Sequence, residues 1–391
     1  MKKEDRYSVI RNHLHIVSCG DTGNALGVVR SLGEIGIIPI VLCVRENHFP
    51  CLIKSKYIGR LIWVEEDQNP VDILLQHFGD EPIKPFVYTC DDYQGSIYDN
   101  RYEELIDKFY FFHCERAGRI NELQNKETIC KVAESCGIRI PKEEVVHTGE
   151  LPKTLQYPII TKTLKSTMGL WKGDSYICHN EKEYVEACKK IQSPKLLLQE
   201  YVHKKNEVAV EGFSVNGGQL VFAPFQISYL RLPEGGYGEY MYVKPTQSDV
   251  LEKVTKIIKE CKFEGCFEVE FLLDKNEELV FLEVNFRYSF WNYAVTYGGI
   301  NYPAEWALAT KICEEGAIPP PEAFVKQGYR ERFTAICEPG DFGQSVQSGK
   351  ISIWQWIKDI LRADMCYFWN IKDPMPTISF WWHKLLRYVK K

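Results

Sequence analysis

Residues 266–287 read CFEVEFLLDKNEELVFLEVNFR, and this stretch decides the fold. Apolar and charged residues alternate along 266–273 and, in part, along 279–285, with the polar run 274–278 between them. Alternation with period two on both sides of a polar turn predicts a β-hairpin. Counting outward from the turn gives three predicted cross-strand pairs: Asp274 with Leu279, Glu270 with Glu283, and Glu268 with Asn285.

The predicted hairpin brings two carboxylates face to face. Cross-strand neighbours lie about 4.5–5.5 Å apart at Cβ, and like charges at that distance destabilise a sheet unless a cation compensates them. Magnesium prefers oxygen ligands and is usually held by one or two carboxylates with substrate phosphates. The pattern therefore predicts that Glu270, Glu283 and Asn285 bind magnesium. Arg287, on the same face, is placed to reach a phosphate, and an acidic face that is merely solvated is the alternative.

Five segments upstream of the hairpin carry lysines, glycines or carboxylates beside predicted strands and helices. In chain order they are Asn125-Lys126 at the start of a helical segment ending at Gly137, the apolar strand Tyr157 to Lys162, the small-residue and glycine stretch 166–175, the strand 195–202, and Glu207 beyond it.

In this order the segments and the hairpin resemble the ATP-grasp family of carboxylate–amine ligases, over residues 10–310. The resemblance implies that Lys126 and Lys162 bind the phosphates of ATP, and that the loop containing Gly169 closes over them. It also implies adenine contacts from four consecutive residues and a ribose contact from a later acid: Gln199, Glu200, Tyr201, Val202, and then Glu207.

For the hairpin, the resemblance implies the same ligands as the residue pattern, namely Glu270, Glu283 and Asn285. The implied cofactors are ATP and two magnesium ions, with manganese as a substitute. Arg287 and Lys162 are the expected catalytic residues, and Lys244 is a candidate contact to the γ-phosphate. The sequence departs from the family pattern at Thr163 and Phe286, where proline is usual, and in the lower glycine content of the phosphate loop.

The N-terminal third predicts one β-α-β unit between residues 14 and 44. Gly20, Gly23 and Gly27 do not have the G-x-G-x-x-G spacing of a dinucleotide-binding loop. The segment instead resembles the pre-ATP-grasp domain of ligases related to D-aspartate ligase. Asp92 follows a predicted strand, at the edge where open α/β sheets bind ligands, so it is a candidate substrate residue. A helix-capping role for Asp92 is the alternative.

The resemblance implies an α/β protein whose ATP-grasp part has α+β character. The expected domains are a Rossmann-like pre-ATP-grasp domain at 1–118, a small ATP-grasp subdomain with the phosphate loop at 119–195, a central domain with the Mg-ATP site at 196–330, and an aromatic-rich C-terminal extension at 331–391.

The resemblance further implies an ADP-forming ligase that activates a carboxylate as an acyl phosphate and joins it to an amine. Arg231, in a glycine-rich segment, is the candidate contact for a substrate carboxylate, and an ordinary solvated loop arginine is the alternative. Similarity to D-aspartate ligases suggests an amino acid added to a cell-wall peptide or surface-polysaccharide precursor. The alternatives are an ATP-grasp enzyme with another acceptor, such as a carboxylase or phosphotransferase, and a non-catalytic nucleotide-binding scaffold.

Composition excludes several other classes of protein. The 391 residues are 45% hydrophobic with a net charge of −5, which gives no bulk attraction for nucleic acid. No run approaches the roughly 20 apolar residues of a membrane helix. The 14 cysteines include no C-x-x-C pair, and the charged N-terminus resembles no signal peptide, so a cytoplasmic protein with small-molecule substrates is expected.

The C-terminal segment combines aromatic and basic residues at 351–357 and 379–391. This pattern is typical of an amphipathic helix on a membrane surface. It fits equally a segment whose tryptophans dock on the protein's own core or on a second subunit, as in a homodimer.

Overall fold

The computed structural model describes residues 5–20, 22–45, 51–164, 174–233, 238–325 and 329–389. Its strands are β1 His15–Cys19, β2 Ile40–Val44, β3 Arg60–Val64, β4 Phe86–Thr89, β5 Glu143–His147, β6 Ile159–Lys162, β7 Ile177–Cys178, β8 Lys195–Glu200, β9 Lys204–Val215, β10 Leu220–Arg231, β11 Tyr240–Pro245, β12 Gly265–Asp274, β13 Leu279–Asn285, β14 Phe333–Ile336 and β15 Met365–Cys366.

The α-helices alternate with these strands in the N-terminal part and flank the sheets elsewhere. They are α1 Ser8–Arg11, α2 Gly23–Glu34, α3 Pro70–Phe78, α4 Asp92–Asn100, α5 Tyr102–Leu105, α6 Arg119–Leu123, α7 Lys126–Ser135, α8 Glu181–Cys188, α9 Ser248–Cys261, α10 Asn292–Tyr297, α11 Tyr302–Glu314, α12 Glu338–Asp341, α13 Ile353–Arg362 and α14 Met375–Val389.

The N-terminal sheet is parallel, with strand order β3-β2-β1-β4. All five residues of β1 are buried, as expected for a parallel strand covered on both faces. The carboxyl end of β4 leads directly into α4, which places the start of α4 at the ligand-binding edge of the sheet.

Two further sheets follow, the smaller one antiparallel and the larger one antiparallel except for its last pair of strands. The smaller one has strand order β5-β8-β6-β7, and it carries Lys162 at the end of β6 and Gln199 near the end of β8. The larger one has strand order β13-β12-β9-β10-β11-β14-β15, with the predicted hairpin at one edge. Its last two strands, β14 and β15, come from the C-terminal 61 residues and pair with each other in parallel.

The hairpin forms with the predicted register at the site. Glu270 pairs with Glu283, and Glu268 pairs with Asn285. The predicted pairing of Asp274 with Leu279 is wrong, because a bulge shifts the register by one, so that Leu279 pairs with Leu273 instead. The alternation of residues fixed the pairing beside the site, but an additional residue in β13 cannot be seen in a pattern of polarity.

The aromatic C-terminal segment packs on the protein itself. Arg30 of α2 is fully buried, and its Nε donates to Asp373 at 3.0 Å. The same guanidinium donates to the backbone carbonyls of Tyr367 and Phe368. The buried arginine therefore joins α2 to residues 367–373 of the C-terminal segment. Within the described ranges, no helix is long and apolar enough to cross a membrane.

Candidate functional site

A pocket of about 520 Å³ opens where the hairpin, the N-terminal sheet and the C-terminal segment meet. The hairpin contributes its acidic face, α7 contributes Lys126, and the N-terminal part contributes Asn24 and Asp92. Aromatic side chains also line the pocket, with Phe290 and Trp291 after the hairpin and Phe368 and Phe380 from the C-terminal segment. The pocket thus joins a charged wall to an apolar one.

The charged wall is a hydrogen-bonded set on one face of the hairpin. Asn285 Nδ2 donates to Glu268 Oε2 at 3.0 Å and to Glu270 Oε1 at 3.1 Å. Its Oδ1 accepts from Arg287 Nη2 at 3.1 Å. Glu283 lies directly opposite Glu270 in the sheet. Period-two spacing along two paired strands therefore brings Glu268, Glu270, Glu283 and Asn285 to one face of the hairpin, with the two cross-strand pairings that the sequence predicts.

Glu268 and Glu270 of this wall lie close to one another and away from water, and their pKa values are raised. Burial, reinforced by Glu268, Glu283 and Glu207, raises the pKa of Glu270 well above its ordinary value. Burial also raises the pKa of Glu268. A bound cation would relieve this penalty, so the donor set fits a divalent metal.

A metal bound here would draw only part of its coordination from the protein. Among the described residues, no group of three or more His, Cys, Asp or Glu side chains is arranged to hold a metal ion. Two carboxylates and one amide oxygen leave the remaining positions to other oxygens, which matches the way magnesium is held together with substrate phosphates.

Arg287 bridges the hairpin and the N-terminal part. Its Nε donates to Asp92 Oδ1 at 3.2 Å, and its Nη2 lies 3.4 Å from Asp92 Oδ2. Burial alone would lower the pKa of Arg287, but Asp92 and Glu268 outweigh it and raise the pKa above its ordinary value. The guanidinium is therefore permanently charged and faces the pocket.

The neighbouring Asp91, and not Asp92, caps α4. The Asp91 side chain accepts from the backbone N–H of Gln94 at 2.8 Å, as an N-cap residue does. The capping alternative for Asp92 is therefore wrong, and its carboxylate lies on the pocket wall instead.

The two predicted phosphate-binding lysines lie close enough to affect each other. Burial, reinforced by the charge of Lys126, lowers the pKa of Lys162 to about 8, while Glu283 opposes the shift. Lys126 begins α7, whose N-cap Asn125 accepts from Thr128 N–H at 3.2 Å. Lys126 lines the pocket, and Lys162 lies just outside its lining.

The predicted adenine and ribose contacts lie beyond the lining of this pocket. Gln199 is buried and donates to Glu143 at 2.7 Å, while Tyr201 N–H donates to the carbonyl of Pro158. Glu207 accepts from Lys204 Nζ at 2.5 Å, and burial raises the pKa of Glu207. Glu200 and Val202 continue the same segment, and Gly169 falls outside the described residues.

The structure places two candidates away from the pocket. Arg231 forms ion pairs with Asp341 and Asp359, both at 2.8 Å, so its charge is already compensated and it does not line the pocket. The contact between Arg231 and a substrate carboxylate stays a prediction, which these two ion pairs disfavour. Lys244 lies on β11 and donates to Gln247 at 3.1 Å, also away from the lining.

Sequence reasoning missed Glu268 and Trp291 as site residues. Glu268 accepts from the indole Nε1 of Trp291 at 2.7 Å, and both side chains line the pocket. A signal for Glu268 was present, because it precedes Glu270 by two residues and shares its face of the strand. Nothing local marks Trp291, which reaches the site from the segment after the hairpin.

Comparison with known proteins agrees with this architecture. No protein-family model matches the chain. N5-carboxyaminoimidazole ribonucleotide synthase of Staphylococcus aureus is 29% identical over 174 residues, which cover 42% of this chain and 45% of that protein. The chain thus matches less than half the length of its curated relatives.

Solved structures superpose over most of the chain. The L-amino acid ligase of Bacillus licheniformis matches with a TM-score of 0.59 and 16% identity, covering 79% of this chain and 78% of its own. The N5-carboxyaminoimidazole synthase of Aspergillus clavatus, in complex with ADP and its aminoimidazole ribonucleotide, matches with a TM-score of 0.60 and 16% identity, covering 83% and 82%. Biotin carboxylase of Campylobacter jejuni gives a TM-score of 0.61 and 16% identity, covering 84% and 75%.

The protein has the ATP-grasp fold, and its structural neighbours are ATP-grasp ligases. The fold class and the family resemblance expected from the sequence are confirmed at this level.

Proposed function

We propose that the protein is an ADP-forming ATP-grasp ligase that joins a carboxylate to an amine. The observation that carries the proposal is a set of charged and polar side chains on one wall of the pocket, of which Glu268 and Asn285 are buried and Glu270, Glu283 and Arg287 are half-buried. Withdrawing so many charged groups from water costs folding free energy. Carboxylates with shifted pKa values in a pocket are typical of functional sites.

In this proposal different charged groups bind different parts of Mg-ATP. Lys126, Lys162 and Arg287 contact the phosphates, and Glu270, Glu283 and Asn285 hold magnesium. Bound magnesium would neutralise the phosphate oxygens during phosphoryl transfer. Residues 199–202 hold the adenine, and Glu207 holds the ribose. By the family resemblance, the segment containing Gly169, which falls outside the described residues, would cover the phosphates.

The reaction begins when an oxygen of the carboxylate substrate attacks the γ-phosphorus of ATP and ADP leaves. The amine then attacks the carbonyl carbon of the resulting acyl phosphate, loses a proton, and displaces phosphate. Arg287 is a permanent cation at the junction of the hairpin and the N-terminal part, so it can stabilise negative charge on the transferred phosphoryl group. Asp92, its partner, is placed to contact the substrates from the N-terminal side.

The pocket itself favours a substrate with an apolar part. Phe290, Phe368 and Phe380 line the same cavity as the acidic side chains. A small acid without an apolar group would leave these aromatic side chains facing water. The predicted cell-wall or surface-polysaccharide acceptor stays a proposal that rests on the resemblance to D-aspartate ligases alone.

A second candidate follows from the curated relatives, whose name denotes the carboxylation of an aminoimidazole ribonucleotide. Their 29% identity over 174 residues supports a nucleotide amine as the acceptor and a carboxyl group as the part added to it. The aromatic wall of the pocket would then stack against the base of that nucleotide. A homodimer, manganese in place of magnesium, a cytoplasmic location and a peripheral membrane contact stay predictions.

The experiment is the release of ADP and phosphate from Mg-ATP by the purified protein. The pools offered are L- and D-amino acids, peptidoglycan peptides, nucleotide-linked uronic acids, and bicarbonate with aminoimidazole ribonucleotide. The proposal expects ADP, not AMP, and release that depends on both an acid and an amine. Release of AMP and pyrophosphate, or ADP release that is independent of every acid, would contradict it.

A further inference from the structure

The C-terminal helix pair, defined as α13 and α14 with the connecting residues 363–374, exposes an unusual amount of apolar surface. Half of the large apolar side chains that are exposed in the described part of the chain lie between residues 353 and 386. They include every exposed tryptophan of that part: Trp354 at 73%, Trp369 at 50% and Trp382 at 58%. Contiguous exposed apolar surface of this kind marks an interaction site.

Helix α13 contacts the protein through Asp359 and through Trp356, which packs against Phe342. Asp359 is buried and accepts from Arg231 at 2.8 Å and from Gln355 at 2.8 Å. The opposite side carries Trp354 and Leu361, which are 73% and 79% exposed. An amphipathic helix normally packs its apolar side inward, but part of the apolar side of α13 is open to solvent.

Helix α14 packs Phe380 against Phe368 and Trp381 against Phe342. The outward side is a continuous apolar stripe with helical spacing, made of Met375, Ile378, Trp382, Leu385 and Leu386. Between the two helices lies an apolar groove of about 500 Å³ whose lining includes Trp356, Trp369 and Trp381.

The charge around this surface is positive. Residues 350–391 contain eight basic and three acidic residues, in a chain whose net charge is −5. All three acids are engaged within the protein: Asp359 with Arg231, Asp373 with Arg30, and Asp364 with Thr334. The bases Lys350, Lys358, Arg362 and Lys372 are exposed. The outward face is therefore apolar and cationic together.

We propose that the outward face of the C-terminal helix pair binds an anionic phospholipid surface. Tryptophan prefers the boundary between lipid headgroups and acyl chains. Helices with an apolar stripe bordered by lysine and arginine lie in that boundary, and each basic residue near an anionic bilayer contributes about 1 kcal/mol. A second copy of the chain is a poor occupant, because a symmetric interface would bring two cationic faces together.

Membrane binding would bring the pocket to the lipid surface. Phe380 lines the pocket from α14, while Trp382 and Leu385 of the same helix point outward. The two surfaces are separated by one helix, whose diameter is about 10 Å. This consequence rests on the proposed function, but the binding itself does not, because it involves neither ATP nor the acidic wall.

The experiment measures co-sedimentation of the full chain with vesicles. Vesicles of phosphatidylcholine alone are compared with an equimolar mixture of phosphatidylcholine and phosphatidylglycerol. Binding is expected to the anionic vesicles, with a blue shift of tryptophan fluorescence. Raising the salt from about 0.1 M to about 1 M shortens the Debye length from about 10 Å to about 3 Å and should weaken binding.

Two double variants separate the apolar and electrostatic contributions. Leu361→Gln with Trp382→Gln should weaken binding to anionic vesicles at least about tenfold, and Lys358→Gln with Lys372→Gln by roughly fivefold per charge. The matched controls are Ile38→Gln with Ile83→Gln, and Lys182→Gln with Lys275→Gln, at exposed positions elsewhere. These should bind like the unaltered protein.

Three results would overturn the proposal. They are equal binding to neutral and anionic vesicles, no binding to either, and equal weakening by the control variants. Light scattering after size-exclusion chromatography tests whether a second copy of the chain binds this face instead. A dimer that Leu361→Gln with Trp382→Gln dissociates would assign the face to a second copy of the chain.

Discussion

The pocket and the C-terminal helix pair depart from the usual distribution of residues in opposite directions. In the pocket, Glu268 and Asn285 are charged or polar and yet at most 9% exposed. In the helix pair, Leu361 and Trp354 are apolar and yet more than 70% exposed. Each arrangement costs free energy in the isolated chain, through desolvation in the first and hydrated apolar surface in the second. The comparison indicates that both regions are built to be completed by something outside the chain.

The two regions are also physically joined. The ion pair between Arg30 and Asp373 anchors the helix pair to α2. Phe368 and Phe380 of the helix pair line the pocket. The helix pair is thus one wall of the site as well as an outer surface, and the tests below separate these roles.

The largest expected effect comes from detaching the helix pair. Asp373→Asn leaves the fully buried Arg30 without its ion-pair partner, and breaking a buried pair in this way costs about 3–5 kcal/mol. Urea unfolding should show a loss of that size. Asp72→Asn, which breaks an exposed pair with Arg101, should cost no more than about 1 kcal/mol. Equal losses for the two variants would show that Arg30 is not the anchor.

A smaller effect is expected from pH in the pocket. Lys162 is charged below its pKa of about 8 and neutral above it, so its attraction for phosphate is present at low pH and is lost as pH rises through 8. ATP affinity measured by calorimetry should fall over that range. Lys162→Arg keeps the charge, because arginine titrates only above pH 12 or so, and its affinity should stay constant. A fall that is identical in the variant would exclude Lys162 as the titrating group.

The smallest effect should come from the outward apolar face. Leu361→Gln and Trp382→Gln each remove a side chain that is more than half exposed, and surface substitutions of this kind usually change the free energy of unfolding by about 0.5 kcal/mol or less. Thermal and urea unfolding without lipid are the measurements. A loss above about 2 kcal/mol for either substitution would mean that the face belongs to the core and is not available for docking.

The sequence predicted these regions unequally, for physical reasons. The pairing of Glu270 with Glu283 followed from alternation along adjacent strands, since hairpin register is a local property. The contact between Asp92 and Arg287 joins positions 195 residues apart, and no local pattern specifies such a contact.

Contacts between residues far apart in the sequence also explain why the environment of Arg231 was not foreseen. The acids that neutralise Arg231 lie 110 and 128 residues later in the chain, so its loop position looked free. The helix pair was recognised as aromatic and basic, but only tertiary packing decides which face of a helix turns outward.

The most direct test of the central claim is calorimetric titration of Mg-ATP into the protein, because it needs no knowledge of the acid or amine. The unaltered chain should bind ATP more tightly with magnesium than with EDTA. Glu283→Gln should lose at least about tenfold of the magnesium-dependent affinity, since a contact to a charged group contributes about 1.5–3 kcal/mol. Glu277→Gln, at an exposed position in the same hairpin, should bind like the unaltered chain. Undiminished magnesium-dependent binding by Glu283→Gln would contradict the assignment of the hairpin as the Mg-ATP site.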